Sequence, residues 1–388
     1  MLIAGVVAEY NPFHKGHKYH LDMTRAAGAT HIVSVMSGST VQRGDVAVFS
    51  KYQRASSAVR NGADLVIELP CPYSCSNGEV FARSAIELLA GLGSVDMLSF
   101  GCECSDISLL ERGAELSLKL KNSQTVRDNL SVGMSYPQAC AKALENQDMK
   151  ISELFGKPNN TLAVEYIKSA KETAPDMKFL AVERKMIEHD SNTVNEEFAS
   201  ASYIRKLIYS GEDYENFVPE SYAGRAYSIG NLDKILTYKI MTADHDELSM
   251  LPDMSDMLVN RFISVRENGV SSAAEFAENF KSRNITLARV RRMLIHLMIG
   301  VRKEDINSVP YGRILAFNER GREILGKSKN NRKILYDTSL KKLERSSLYA
   351  QRIAALEKKS VRLQELATDR KPEFSNEYKR KIMISESK

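Results

Sequence analysis

The chain has 388 residues, 43% hydrophobic and 27% charged, with no tryptophan and a formal net charge of +5. That length allows two domains, and the composition excludes disordered, collagenous and disulfide-scaffold proteins. No apolar run approaches the ~20 residues of a membrane-spanning helix, so no membrane association is expected, and five cysteines without export features are expected to be reduced thiols of a cytoplasmic protein.

An apolar run at residues 2–7 suits a buried strand. It leads into Ala8-Glu9-Tyr10-Asn11-Pro12-Phe13-His14-Lys15-Gly16-His17-Lys18-Tyr19-His20. Asn11-Pro12 marks a turn, because proline disfavours helical geometry at the residue before it. From Gly16 onward, Tyr19, Leu21, Met23 and Ala26 suit a helix that closes near Gly28. His14 and His17 therefore stand where a tight loop meets a helix N-terminus. The free N–H groups and partial positive charge there make a phosphate seat. The two imidazoles add donors that follow charge as it builds on a phosphoryl group, and Gly16 lets a phosphate approach the backbone. They are the candidate catalytic residues. His20 shares a helix face with His17, but no third ligand accompanies that pair, so no metal site is assigned.

Residues 30–36 form a β-branched second strand. The polar stretch 37–45 is expected to be a flexible loop at a strand's C-terminal end, where open α/β sheets bind ligands. Gln42 and Arg43 are its candidate substrate contacts. Helices at 51–60 and 77–89 alternate with strands at 64–69 and 95–100. Gly101 follows the last of these and leaves room for a base or ribose. The alternation predicts an α/β fold with a doubly wound parallel sheet. Cys71, Cys75, Cys102 and Cys104 lack the spacing of a common zinc motif, and buried thiols are expected.

Residues 105–150 read as inserted helices. Pro158-Asn159-Asn160 opens another helix with Asn160 near its cap. A fifth strand at 178–183 ends at Arg184. In Ala199-Ser200-Ala201-Ser202-Tyr203-Ile204-Arg205, the serines precede a helix and either cap it or donate to a phosphate, while Arg205 offers a forked cation.

Beyond residue 215 the alternation stops. Helices are expected at 236–241, 256–267, 273–280 and 285–301. A short mixed segment follows at 311–317, then a basic loop at 327–333, a charged helical region at 338–365 and a polar, mobile tail from Thr368. Two domains are expected, 1–215 and 216–388, the second mainly helical. Lys and Arg number 25 against 34 Asp and Glu in residues 1–260, but 29 against 15 in residues 261–388. A basic C-terminal part is the footprint expected for nucleic acid, with Arg289, Arg291 and Arg292 as candidate contacts.

His14-Lys15-Gly16-His17 is the HxGH signature of the class I nucleotidyltransferase and adenylating-enzyme superfamily. Ser200 to Arg205 resembles its second signature, Ile-Ser-Ser-Thr-x-Ile-Arg, with Ala201 replacing the middle serine. With Ser37-Gly38, Gln42-Arg43-Gly44, Phe100-Gly101 and Pro158-Asn159-Asn160, these segments resemble the bacterial tRNA(Met) cytidine acetate ligase family through most of the chain. The resemblance implies a Rossmann-like HxGH fold. It implies that Val7, Ala8, Glu9, Tyr10, Asn11, Pro12, Phe13, His14, Lys15, Gly16, His17, Lys18, Tyr19, His20, Gly101, Asn160 and Arg184 contact ATP, joined by Ser202 and Arg205 of the second signature. The implied reaction activates acetate as acetyl-adenylate and acetylates N4 of the wobble cytidine of elongator tRNA(Met), with Mg2+ expected as the nucleotide's counter-ion. An adenylyltransferase acting on a small phosphorylated metabolite would use the same two signatures, but seldom needs so large a basic extension.

Overall fold

The computed structural model describes residues 1–120, 123–131, 134, 136–145, 148–184, 198–380 and 382–384. Its strands are β1 (Ile3–Ala8), β2 (His31–Ser37), β3 (Thr40–Val41), β4 (Asp45–Val46), β5 (Leu65–Leu69), β6 (Met97–Cys102), β7 (Lys178–Glu183), β8 (Tyr311–Phe317), β9 (Leu335–Asp337) and β10 (Met383–Ile384). All except the β3–β4 hairpin join one sheet in the order β10-β8-β5-β2-β1-β6-β7, with β9 beside β8. β8 runs antiparallel to β5, and the other pairs in the sheet are parallel.

β2 is buried at all seven positions, as befits a central strand covered on both faces, and it reads as an almost continuous apolar run. The chain passes from β1 outward through β2 to β5, then returns to place β6 on the other side of β1. The switch in strand order lies between β1 and β6, and open α/β sheets bind ligands in the crevice at the strand ends there. The segment after Ala8 and the segment after Phe100 both open at that crevice.

The C-terminal half departs from its expected separation at residues 215 and 216. It returns to the sheet, and β8 is buried at all seven positions against β5. Gly312 and Arg313 interrupt the apolar pattern of this strand, which is why it reads as a mixed segment. Helices Asp233–Thr242, Asp256–Glu267, Ala273–Phe280 and Leu287–Ile299 do form a helical layer. Phe262 and Phe276 pack within it, with ring centroids 4.6 Å apart. Yet these residues share one continuous core with Ile3, Val33 and Leu98 of the sheet.

Two further expectations change. The stretch 37–45 is a buried hairpin rather than a free loop, with Ser37, Gly38, Ser39 and Thr40 all inaccessible. The tail after Thr368 is anchored: Glu377 is buried and β10 pairs with β8.

One cluster of buried charge makes these attachments. Lys51 Nζ lies 2.6 Å from Glu68, 2.9 Å from Glu357 on helix Leu348–Leu366 and 2.9 Å from Glu377. Arg313 Nη1 is 2.6 Å from Glu377, and its Nη2 donates to the Tyr52 hydroxyl. Burial opposes the charge on Lys51, but the three carboxylates hold it protonated. Burial would also raise Glu377, but Lys51 and Arg313 hold it down to about 2. Burial first, then Glu68 with which it shares a hydrogen bond, pushes Glu357 up to about 8. Three carboxyls facing two cations are thus balanced by one retained proton. The Glu357 and Glu68 oxygens stand 3.0–3.1 Å from where a Cβ on Gly38 would lie, so glycine there makes room for the shared pair.

The native state binds a proton at Glu357 that the unfolded chain releases above pH ~4.5, so native stability falls as pH rises from there toward 8. Glu357→Gln removes that proton linkage. Urea unfolding from pH 5 to 9 should show the variant gaining on the parent chain up to about pH 8, then a constant difference. Parallel curves over the whole range would contradict the shared proton.

Candidate active site

The crevice is built on the residues that follow β1. Tyr10 takes a left-handed backbone, φ 47°, which is uncommon for a bulky residue and concentrates at functional sites. Its ring is held by a 3.0 Å hydroxyl contact with Ser34 and by edge-on packing against Phe13 and His17. Tyr10 and Phe13 are 1% and 0% exposed, so these rings form the wall of the site rather than its lining.

His14 is the N-cap of helix Lys15–Ala26. Its Nδ1 accepts the Gly16 N–H at 3.0 Å, while the His14 N–H donates to His17 Nδ1 at 3.3 Å. The two rings stack with centroids 3.8 Å apart. An imidazole that accepts at Nδ1 carries its proton at Nε2. Both rings therefore keep an Nε2–H available as a donor. Burial, then Arg184 and Arg205, pushes His14 down to about 3. Burial, then His14, Arg184 and His20, pushes His17 well down as well. Burial and Arg184 push His20 down to about 4, and its Nε2 is 2.9 Å from Ser99 Oγ. All three are neutral near pH 7. Gly16 has a tighter reason than backbone access: a Cβ there would meet His14 Cε1 at 2.9 Å.

The other expected residues gather round this pair. Arg205 Nη1 donates to the Asn11 carbonyl at 2.8 Å, which ties helix Ala201–Ser210 to the loop. Ser200 caps that helix and contacts Ser202 Oγ at 2.9 Å, leaving Ser202 exposed. Arg184 Nη1 donates to Asn159 Oδ1 at 3.1 Å. Buried Asn160 accepts from the Glu103 and Cys104 N–H groups through Oδ1. At Gly101 an added Cβ would be 3.5 Å from Arg184 Cγ, an ordinary contact, so the protein alone does not demand glycine there. Lys18 is engaged with Asp22 at 2.8 Å on the surface.

Gln42 and Arg43 sit at the turn of the β3–β4 hairpin. Glu9 Oε1 accepts the Gln42 N–H at 2.9 Å, and Arg292 Nη1 donates to the Gln42 carbonyl at 3.1 Å. Gly44, with φ +75°, lies so close to Arg291 and Arg292 that a Cβ would meet the Arg292 nitrogen at 2.4 Å. Arg292 thus secures the hairpin, Arg289 donates to the Asp253 carbonyl at 2.8 Å, and Arg291 is exposed beside Asp45.

Three residues escaped the sequence reading. The Tyr222 hydroxyl accepts the Phe13 N–H from 209 positions away, with its ring stacked 4.3 Å from Phe49. Glu103 receives both Asn159 Nδ2 and the Asn160 N–H. Asp45 faces a cavity with Arg205 and Tyr209. Glu103 stands close to Gly101 and could have been suspected, whereas Tyr222 carries no pattern around it.

The sequence model of the family described as HIGH Nucleotidyl Transferase matches residues 1–380. A Clostridium kluyveri protein named tRNA(Met) cytidine acetate ligase is 35% identical over 376 positions, covering 88% of this chain and 90% of that protein. A Thermoanaerobacter protein of the same name is 34% identical, covering 84% and 85%. The chain belongs to the tRNA(Met) cytidine acetate ligase family of HIGH nucleotidyl transferases. Crystal structures of Thermotoga maritima TmcAL match over 100% of both chains at 27% identity, with TM-scores of 0.91 for the apo form and 0.87 for the form bound with alpha-thio ATP. The expected parallel-dominated α/β architecture agrees with these matches.

Imidazole nitrogen spectra are expected to show His14 and His17 neutral, protonated at Nε2, from pH 8 down to 5. A midpoint near 6.5 with both nitrogens protonated would contradict the site geometry.

Proposed function

We propose that this chain is an ATP-dependent ligase of the cytoplasm. It activates acetate as acetyl-adenylate and transfers the acetyl group to N4 of the wobble cytidine of elongator tRNA(Met). The observation that carries the reading is the pair of neutral, tautomer-fixed imidazoles at the topological switch point, flanked by Arg184 and Arg205. The names of the relatives and the nucleotide analogue bound to the Thermotoga protein support it.

Free acetate is a poor acyl donor, because its leaving group would be oxide. Attack of an acetate oxygen on the α-phosphorus of ATP, with pyrophosphate leaving, removes that obstacle. The Nε2–H groups of His14 and His17 donate to phosphate oxygens as negative charge shifts among them, and Arg184 and Arg205 supply permanent charge. Ser202 adds a hydroxyl at the helix start. Gly101, Asn160 and Arg184 border the space for the nucleoside. Mg2+ would accompany ATP as its counter-ion and assist in stabilising charge on the phosphates. The cytidine amine then attacks the mixed anhydride and AMP leaves.

Arg43 and Arg291, exposed at and beside the hairpin turn, are assigned to the RNA backbone, whereas Arg289 and Arg292 act by holding structure. Among the described residues no helix is long and apolar enough to cross a membrane.

Incubation of the chain with ATP, isotopic acetate and tRNA(Met), followed by mass analysis of the nucleosides, is expected to give labelled N4-acetylcytidine. Label arriving only from acetyl-CoA would overturn the reading. His17→Ala should slow acetate-dependent exchange of pyrophosphate into ATP by roughly two orders of magnitude and leave tRNA affinity intact. Equal loss of both would remove His17 from the chemistry.

A further inference from the structure

Beside the nucleotide crevice, helix Ala201–Ser210 and Asp45 of the β3–β4 hairpin border a wide-open hollow of about 470 Å³, lined by Asp45, Ser202, Arg205, Lys206, Tyr209 and Ser210. Its size suits a small-molecule or nucleobase pocket. It adjoins the phosphate seat, because Arg205 lines it and also holds the Asn11 carbonyl. Asp45 is the one carboxylate in its lining. One oxygen of Asp45 accepts the Val46 N–H at 2.8 Å, which orients the group. The hairpin beneath it is fixed at its turn from two sides, by Glu9 of the nucleotide loop and by Arg292.

We propose that Asp45 is the residue that receives the N4–H of the incoming cytosine and takes its proton during acetyl transfer. The inference rests on the function proposed above and adds its missing base. The N4 lone pair forms the new N–C bond at the acetyl carbon. The bond from that carbon to the phosphate oxygen breaks, AMP departs with its electrons, and the N4 proton passes to the Asp45 carboxylate and then to water. Carboxylates are also the natural acceptors for cytosine N4, so the same contact rejects uracil, which presents a carbonyl oxygen there. Burial raises Asp45 above the ordinary aspartate value, against the pull of Arg205 and Arg291, which strengthens it as a base. Lys206, exposed at the rim, remains to meet a phosphate of the incoming RNA.

The test uses the full chain, tRNA(Met) and two readouts: acetate-dependent pyrophosphate exchange, and single-turnover transfer from preformed acetyl-adenylate. Asp45→Asn is expected to retain exchange and to slow transfer by roughly 10² to 10⁴ fold. In Asp45→Ala, added formate should restore transfer in proportion to its concentration, which a merely structural role would not produce. Undiminished transfer in Asp45→Asn, loss of exchange in step with transfer, or absence of formate rescue would each overturn the assignment. A parent chain that exchanges pyrophosphate yet never acetylates tRNA would instead sink the proposed function, and this role with it.

Discussion

The site depends on two backbone N–H groups, those of His14 and Gly16, each given to an imidazole Nδ1. Protonating either ring at Nδ1 would break its bond to the backbone and put a second positive charge beside Arg184. The pair is therefore locked neutral, with both remaining N–H groups on the Nε2 side. A neutral donor that never reorganises serves developing charge well, because its orientation is fixed before the reaction begins. In the proposed reaction charge and direction are supplied separately: Arg184 and Arg205 provide permanent cations, and the histidines provide geometry. The lock also accounts for Gly16, since any side chain there would displace the His14 ring that its own N–H holds.

Behind this lock stands a second one, made of buried charge. Lys51, Glu68, Arg313, Glu357 and Glu377 come from an early helix, a central strand, a late strand, the longest described helix and the tail. Buried ion pairs cost desolvation and are poor sources of net stability. Their geometric effect is specific: only one register of β8 and one path of the tail bring every partner within reach. The cluster lies against Gly38, where the chain leaves β2 for the hairpin. The hairpin carrying Gln42, Arg43 and Asp45 is thus seated on a support that is satisfied only when the C-terminal half has closed on the sheet.

The early elements were legible because period, turn residues and motif agreed. Helix Lys51–Arg60 and strand Lys178–Glu183 fall where the pattern puts them, and the imidazoles stand at the expected helix start. What was hidden depends on long-range pairing. β8 carries Arg313, and an arginine reads as surface until its partners, 64 residues away at Glu377 and 261 away at Tyr52, are known. The stretch 37–45 is polar, yet Ser37, Ser39 and Thr40 are buried, and Thr40 Oγ1 lies 3.2 Å from Ser74 Oγ. Polar character marks loops only where the polar groups face water; here Ser37, Ser39 and Thr40 face protein. Arg289 and Arg292 looked like free cations for the same reason, since the carbonyls they serve belong to distant turns.

Charge counted along the chain also differs from charge arranged in space. Part of the basic excess of residues 261–388 lies far from the crevice. Arg291 lies at the end that holds the imidazoles. Helix Glu319–Ser328, which carries Arg320, Arg322 and Lys327, is capped by Asn318, itself bonded to Asp64 at the start of β5. Lys327 lies 3.9 Å from Asp96, just before β6. These cations are at the strands' N-terminal edge, about 20 Å from the crevice for strands of this length. They cannot stabilise a phosphoryl group undergoing reaction, since screening at physiological salt has a range of about 8 Å. A polyanion long enough to span the sheet feels both ends at once. Under the function proposed above, the arginines at the crevice serve the nucleotide, the distant cations draw in an extended RNA, and the proposed Asp45 contact selects the base.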